Sequence, residues 1–377
     1  MKTVRRLIYA EIFKAVSFIT LGFVCLFFFF DLIQELQDVG KSHAPDYGSA
    51  QALLYVALLI PSHLYELLPI TVLIGSIFVM ARLAESSEYT ILRTSGLGPW
   101  RALRTLLVLG LGFAVLTFCI GDYIAPVSGR VGQLLRARYM PFYPLAGNTG
   151  AWLKEKQGKH TYVVNVVSMT HNGDLKSPQI FEFDENNAFL SNTMAQFAHI
   201  GRDGIWTLYG AVRWSYPRPG NGNPADAQAV TRIETVHAPA LSWNSTLTSE
   251  MVSVALLQRG RMSTIDLFGY IRHLSANGQT TRRYEIQFWR KVFYPLSCLV
   301  MVVMALPFAY LHFRQGGIAG YIFGGVMIGI SFFLLNNVFG YMGNLNNTWI
   351  PWLAAAAPGI IYLLLSLGAF SWLVLRR

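Results

Sequence analysis

Leu103-Arg-Thr-Leu-Leu-Val-Leu-Gly-Leu-Gly-Phe-Ala-Val-Leu-Thr-Phe-Cys-Ile-Gly-Asp-Tyr-Ile124 is an apolar run of the length a helix needs to cross a bilayer, about 20 residues. From Pro126 the composition turns to that of an ordinary water-soluble chain and stays so for about 160 residues, to Glu285. The run therefore reads as a spanning helix that opens onto a domain outside the membrane. Similar runs lie before it at Val16–Ile33 and Tyr65–Leu83, and after the soluble stretch at Val292–Phe313, Ile318–Phe339 and Trp349–Leu375. The composition agrees: 53% of the 377 residues are hydrophobic and 13% are charged, against about 25% charged in soluble proteins. The expected fold class is a membrane protein, a bundle of six transmembrane helices with an inserted all-β domain. Its parts are 1–125, with three spans and an inner loop at 81–100; 126–285, the β domain with a connecting helix at 263–277; and 286–377, with three more spans.

The formal net charge of +10 sorts by membrane side and needs no nucleic-acid partner. With the N-terminus inside, the inner segments hold Lys2, Arg5, Arg6, Arg82, Arg93, Arg101, Arg104, Arg314, Arg376 and Arg377 against Glu85 and Glu88. The first outer loop is acidic, with Asp31, Glu35, Asp38 and Asp46 against Lys41. Both termini are expected to be cytoplasmic. The first apolar run is long, lacks a small-residue cleavage site and carries Glu11 and Lys14 near its start, so it is expected to remain as a span. Cys25, Cys119 and Cys298 fall inside apolar runs and read as small buried hydrophobes.

Within the soluble stretch, β-rich runs occur at Thr161–Val167, Gln179–Phe183, Ile205–Tyr209 and Ala229–Ile233, separated by turn clusters such as Asp184-Glu-Asn-Asn187. Strands so spaced predict a sandwich, jellyroll or open barrel. Ser263 or Thr264 then caps an amphipathic helix through Ile265, Phe268, Ile271 and Leu274, which Asn277-Gly278 ends.

Catalytic patterns are missing from the sequence: it has no His-Glu-x-x-His, Gly-x-Ser-x-Gly or Cys-x-x-Cys, and its eight histidines have no ligand spacing. Gly40-Lys41-Ser42 imitates the end of a phosphate-binding loop, but its first glycine would fall at Glu35 and no strand precedes it. Neither metal nor cofactor is expected, and any ATP hydrolysis belongs to another chain. His63 reads as a satisfied interfacial side chain.

Three groups invite a functional reading, each beside a plainer one. Glu85 and Glu88 lie on the inner loop between the second and third spans; they either plug into a partner's arginines or belong to a solvated turn with Glu88 paired to Arg93. Arg130, Arg136 and Arg138 follow the third span, and Arg282, Arg283, Arg290 and Lys291 precede the fourth. These are solubilising charges, or forks for a lipid that bears several phosphates. Gly316, Gly320 and Gly324, with Gly325 and Gly329, repeat at four-residue spacing on the fifth span, where they serve internal packing or a contact that opens.

Leu83-Ala-Glu-Ser-Ser-Glu-Tyr-Thr-Ile-Leu-Arg-Thr-Ser-Gly96, the prolines Pro61 and Pro69, Gly121-Asp-Tyr-Ile-Ala-Pro126, Gly150-Ala-Trp-Leu-Lys154 and Tyr284-Glu-Ile-Gln-Phe-Trp-Arg-Lys-Val-Phe-Tyr-Pro-Leu-Ser297 carry a resemblance. Over nearly the whole chain they resemble the LptF/LptG permeases of lipopolysaccharide export, and the last segment looks more like the LptG branch. The resemblance implies a six-helix permease of the Gram-negative inner membrane with a periplasmic jellyroll, paired with a homologous permease and two LptB-like ATPase subunits. It also implies lipid passed from a cavity between the permeases to an LptC-like partner, a coupling helix with Glu88 at the family's acidic position, and a lateral gate at the glycines. Where LptG-like chains often carry lysines at the outer end of the first span, this chain has Asp31, Gln37 and Asp38. The expected phosphate contact moves to Arg136, which matches a basic family position. A different class, a membrane-anchored periplasmic binding or assembly protein without transport, would need no docking element on the inner loop.

Overall fold

The computed structural model describes residues 2–40, 47–96, 98–139, 150–169, 174–201, 204–216, 233–249, 251–252, 262–310, 318–345 and 349–372. Among them, six helical segments are long and apolar enough to cross a membrane. In chain order the helices are α1 (Lys2–Leu36), α2 (Ser49–Glu85), the short α3 (Glu88–Thr94), α4 (Pro99–Cys119), α5 (Ala125–Tyr139), α6 (Thr264–Ala276), α7 (Arg282–Met304), α8 (Ile318–Leu345) and α9 (Pro351–Phe370). The chain divides into two compact units. The first comprises Met1–Asp38, Ala52–Gly129 and Arg282–Arg377, and the second Val39–Gln51 and Arg130–Thr281.

The helices run past the apolar runs from which they were expected. α2 begins at Ser49 and α7 at Arg282, so Arg282, Arg283, Arg290 and Lys291 lie inside α7 rather than before it. Hydropathy marks where acyl chains are, whereas the backbone keeps its helical bonds through the headgroup layer, where polar side chains are tolerated. The third span is likewise a rod of three pieces. A π-helical turn, Ile120–Ile124, joins α4 to α5, and the helix continues through Pro126, where the soluble domain was expected to start.

In the membrane unit α2 is the buried centre. Leu73, Ile77, Met80 and Leu83 pack with Ile8, Ile12 and Val16 of α1, Leu106 of α4, and Cys298 and Met301 of α7. Small residues allow the closest approaches: a Cβ added at Gly75 would lie 2.9 Å from the Val16 backbone nitrogen, and one at Gly110 would lie 2.9 Å from Leu299 Cα. A buried hydroxyl pair, Thr20 to Thr71 at 2.9 Å, joins α1 to α2. Apolar faces of α1 and α8, including Phe18, Leu21, Phe323 and Leu334, are exposed on the single chain. Cys298 is buried as expected, but Cys25 and Cys119 are exposed, because an apolar run in lipid has an outer face as well as a core.

The second unit is built on nine antiparallel strands: β1 (Ala151–Gln157), β2 (His160–Val166), β3 (Ser168–Met169), β4 (Leu175–Lys176), β5 (Gln179–Phe183), β6 (Phe189–Met194), β7 (Phe197–Ile200), β8 (Ile205–Ser215) and β9 (Glu234–Asn244). Most come in pairs along one course, β2 with β3, β4 with β5 and β6 with β7, so the sheet is a meander of long strands broken midway. The breaks align across neighbours. Ser177, with φ 48°, donates its N–H to Gln196 O, and Gln196 donates to Tyr209 O beside Gly210, whose φ is 61°. Pro239 in the edge strand β9 lies at the same level, where it costs no ladder bond on the open side. This line of irregular residues curls the sheet. Three of the four expected strands are present, and the fourth, Ala229–Ile233, lies outside the described residues except for Ile233.

One face buries Leu153, Val164, Ile180, Trp206 and Leu208. Glu155, 1% exposed among them, is held by Ser245 Oγ and the Thr246 N–H, both at 2.6 Å, and by Gln157 Nε2 at 3.0 Å. α6 starts at Ser263 with a capping box closed by Asp266, and Gly278 ends its turn with φ 64°. Asn277 Oδ1 accepts the Lys156 N–H, which ties the end of α6 to β1. Glu155→Ala strands the buried Ser245 hydroxyl and the partly buried Thr246 N–H and should cost the β unit about 3 kcal/mol. Amide exchange of residues 151–157 and 244–247 in the purified full chain should accelerate accordingly; unchanged protection there would contradict the account.

Candidate functional site

Between the second and third spans, Ser87 in a left-handed conformation, φ 60°, breaks α2 from α3. Tyr89 anchors α3: it is 3% exposed, and its ring meets that of Tyr310 edge-on at 5.2 Å. The Arg93 guanidinium lies 5.6 Å from the same Tyr310 ring. Arg93 is therefore engaged by an aromatic face rather than by Glu88. Among the described residues neither Glu85 nor Glu88 forms an ion pair. Both carboxylates are exposed, with Ile91 63% exposed one turn beyond Glu88. Gly96 and Pro99 then turn the chain into α4, with Arg101 donating to Gly96 O at 3.2 Å. A rigid, short helix thus presents acidic and apolar groups on its outer side.

The arginines after the third span do not form one cluster. Arg130 pairs with Asp266, the same carboxylate that closes the cap of α6, so it fastens α5 to α6 within the second unit. Arg136 is partly buried further along α5. Arg138 lies two residues on, about 200° around the helix, and its side chain is outside the description. The basic residues of α7 are engaged too. Arg282 donates to Gly343 O at 2.9 Å and Trp349 O at 2.5 Å, Arg290 to Asn337 Oδ1 at 3.2 Å, and Lys291 to Gly121 O at 3.1 Å, while Arg283 is exposed. The solubilising and phosphate-binding readings both passed over this use, because only a folded chain shows which carbonyls lack a helical partner.

The glycines of α8 separate into two sets. A Cβ added at Gly325 would lie 2.9 Å from Ile77 Cδ1, and one at Gly329 would lie 2.9 Å from Ile70 Cγ2, so these two pack on α2. At Gly320 and Gly324 the same atom meets nothing within 4 Å. Gly316 lies outside the described residues. Asn336 is buried and Asn337 takes the Arg290 bond, so both polar groups face protein.

His63 is satisfied, its Nε2 lying 2.5 Å from Asp31 Oδ2 and its ring 5.2 Å from that of Phe27. Asp31, in the last part of α1, is thereby committed to α2. The sequence reading did not anticipate this pair, although an acid and a histidine near the same membrane face were its signal. Among the described residues no group of three His, Cys, Asp or Glu side chains gathers to hold a metal ion.

Comparison with known proteins places the geometry in context. The model of the family described as "Lipopolysaccharide export system permease LptF/LptG" matches residues 6–376. The lipopolysaccharide export system permease protein LptG of Escherichia coli strain K12 is 25% identical over 348 residues, 92% of this chain and 91% of that protein. The LptG protein of Haemophilus influenzae is 25% identical over 344 residues, 90% of each chain.

The two glycine sets should respond differently to a large side chain. Gly325→Leu or Gly329→Leu should destabilise the solitary chain by about 1–3 kcal/mol through overpacking against α2, whereas Gly320→Leu or Gly324→Leu should leave its thermal unfolding in detergent unchanged. Equal loss from all four would mean that both sets serve internal packing.

Proposed function

We propose that this chain, which belongs to the LptF/LptG family of lipopolysaccharide export permeases, is the LptG-type subunit of an ATP-driven transporter that extracts lipopolysaccharide from the inner membrane. It is a multi-pass inner-membrane protein of that family, with six spanning helices and a β domain. The observation that carries the reading is that the family match runs unbroken through both halves of the membrane unit and the β domain between them. The relatives named LptG support that subunit over its homologue LptF. In this reading both termini are cytoplasmic and the β unit is periplasmic. The chain pairs with an LptF-like permease, two LptB-like subunits hydrolyse ATP, and the lipid passes to an LptC-like partner in the periplasm.

α3 is the coupling helix of the proposal. Tyr89 holds it to the membrane unit, while Glu88 and Glu85 offer carboxylates to arginines of the ATPase and Ile91 offers an apolar contact. The exposed set Gly320 and Gly324, with Gly316 before it, forms the lateral contact with the partner permease, where a bare backbone permits close approach and release. Arg136 holds a phosphate of the lipid headgroup, with Arg138 as a second cation. Arg130 is the weaker candidate of the three, since its fork is already on Asp266.

A detergent-extracted complex should contain a P-loop ATPase, and Glu88→Lys should strip it away or uncouple it while membrane insertion is unchanged. A chain that purifies without any ATPase would instead be a membrane-anchored binding or assembly protein. Arg136→Glu should weaken photocrosslinking to lipopolysaccharide about tenfold or more, the effect of losing one hydrogen bond to a charged group. Arg136→Lys should restore part of it. Equal binding of native and dephosphorylated lipid by the wild-type complex would remove the headgroup role from these arginines.

A further inference from the structure

Two rods of the membrane unit carry a proline or π site, the places where helices bend, and one face of α7 holds both. In α2, Pro69 has no N–H to offer the Tyr65 carbonyl and its ring opens the preceding turn. The next carbonyl in that opened turn, Glu66 O, accepts the Tyr294 hydroxyl at 2.5 Å. In the third span the π turn sets an i to i−5 register, with the Ala125 N–H bonded to Ile120 O. The following donor in that register would be Pro126, which has none, so Gly121 O is released and accepts Lys291 Nζ at 3.1 Å. Lys291 and Tyr294 are three residues apart and so share one side of α7.

The bends also touch each other. A Cβ on Gly121 would overlap Tyr65 ring carbons, so the Tyr65 ring of α2 rests directly on the π turn. That ring is 4.9 Å from the Tyr294 ring. Another bend in α2, at Pro61, follows the same rule, since Leu58 O accepts the Ser128 hydroxyl at 2.5 Å. Here the donor comes from α5 itself, and it links α2 to the rod just beyond the π turn.

We infer that Lys291 and Tyr294 are positioning residues that set the angles of these two bends, and that their bonds to Gly121 O and Glu66 O exchange during the transport cycle. A bond from a backbone N–H within a helix cannot break without unwinding the helix, whereas a side-chain donor on a neighbouring helix can let go and leave both helices intact. At the two points where α2 and the α4–α5 rod meet α7, a proline or π site thus lies beside a releasable side-chain bond. A lysine suits the π turn because its three donors tolerate a shift of the accepting carbonyl, and a tyrosine suits α2 because its rigid ring also packs on Tyr65.

The inference rests on the chain's work as a transporter subunit, and the experiment separates the two. The full transporter complex, in lipid nanodiscs, carries spin labels at Val108 and Val131, exposed positions on either side of the π turn, with the native cysteines replaced by serine. The wild-type complex should give one narrow distance distribution that shifts when ATP and vanadate are added. Lys291→Met should broaden the distribution and remove the nucleotide shift, and Lys291→Arg should restore both. Tyr294→Phe, which keeps the ring, should lower lipopolysaccharide released per ATP hydrolysed about threefold, and Lys291→Met about tenfold, in line with losing a neutral and a charged hydrogen bond. Identical distance distributions in wild type and Lys291→Met would overturn the inference. So would unchanged release per ATP in both variants. A wild-type complex that releases no lipopolysaccharide would sink the export reading instead, and the distance distributions would still decide whether Lys291 holds the bend.

Discussion

A carbonyl without a donor inside a bilayer costs several kcal/mol, since no water is there to meet it. The membrane unit is organised around that constraint. Proline and π sites interrupt the ladder of bonds in a span, and beside three of them a side chain from another helix bonds a carbonyl: Tyr294 at Glu66 O, Lys291 at Gly121 O and Ser128 at Leu58 O. Arg282 performs the same service where α8 ends and α9 begins, at Gly343 O and Trp349 O. Basic residues of α7 thus bond backbone carbonyls of other segments, Arg282 and Lys291 among them, and Arg290 bonds the Asn337 amide. This accounts for the number of basic side chains in a helix that also spans.

The same unit separates contacts that close the chain on itself from contacts left open. Gly75, Gly110, Gly325 and Gly329 lie against other helices of this chain, where a methyl group would not fit. Gly320 and Gly324 meet nothing, and they sit on a helix whose apolar side chains are largely outside. α3 repeats the division between the second and third spans. Tyr89 is committed to the core while Glu88 and Ile91 are not. Buried anchors beside uncommitted groups are what a subunit needs if it is to hold its fold and still offer surfaces to other chains.

Much of the fold was legible in the sequence, because spans and strands follow from composition and alternation. The six spans and the cap at Ser263 are local signals. What was not legible depends on tertiary partners. Nothing near Arg130 in sequence announces Asp266, and nothing near Lys291 announces Gly121, which is 170 residues away. Glycines at one four-residue spacing looked equivalent until α2 was found against only two of them. Helix ends were misjudged for a different reason: apolarity stops at the acyl chains, but the hydrogen-bonded helix does not. Strands β1 and β9 escaped notice because Lys154-Glu155-Lys156 and Pro239 imitate loop composition, while Glu155 is in fact buried and bonded.

In the proposed function the chain is a working part of an energised lipid pump and not an anchor for its β domain. The most direct measurement is release of lipopolysaccharide from proteoliposomes containing the chain, its partner permease and the ATPase, to a soluble periplasmic acceptor, with and without ATP. Release that requires ATP hydrolysis, and that stops when this chain alone is omitted, is the predicted result. Release that proceeds equally without ATP, or without this chain, would contradict it.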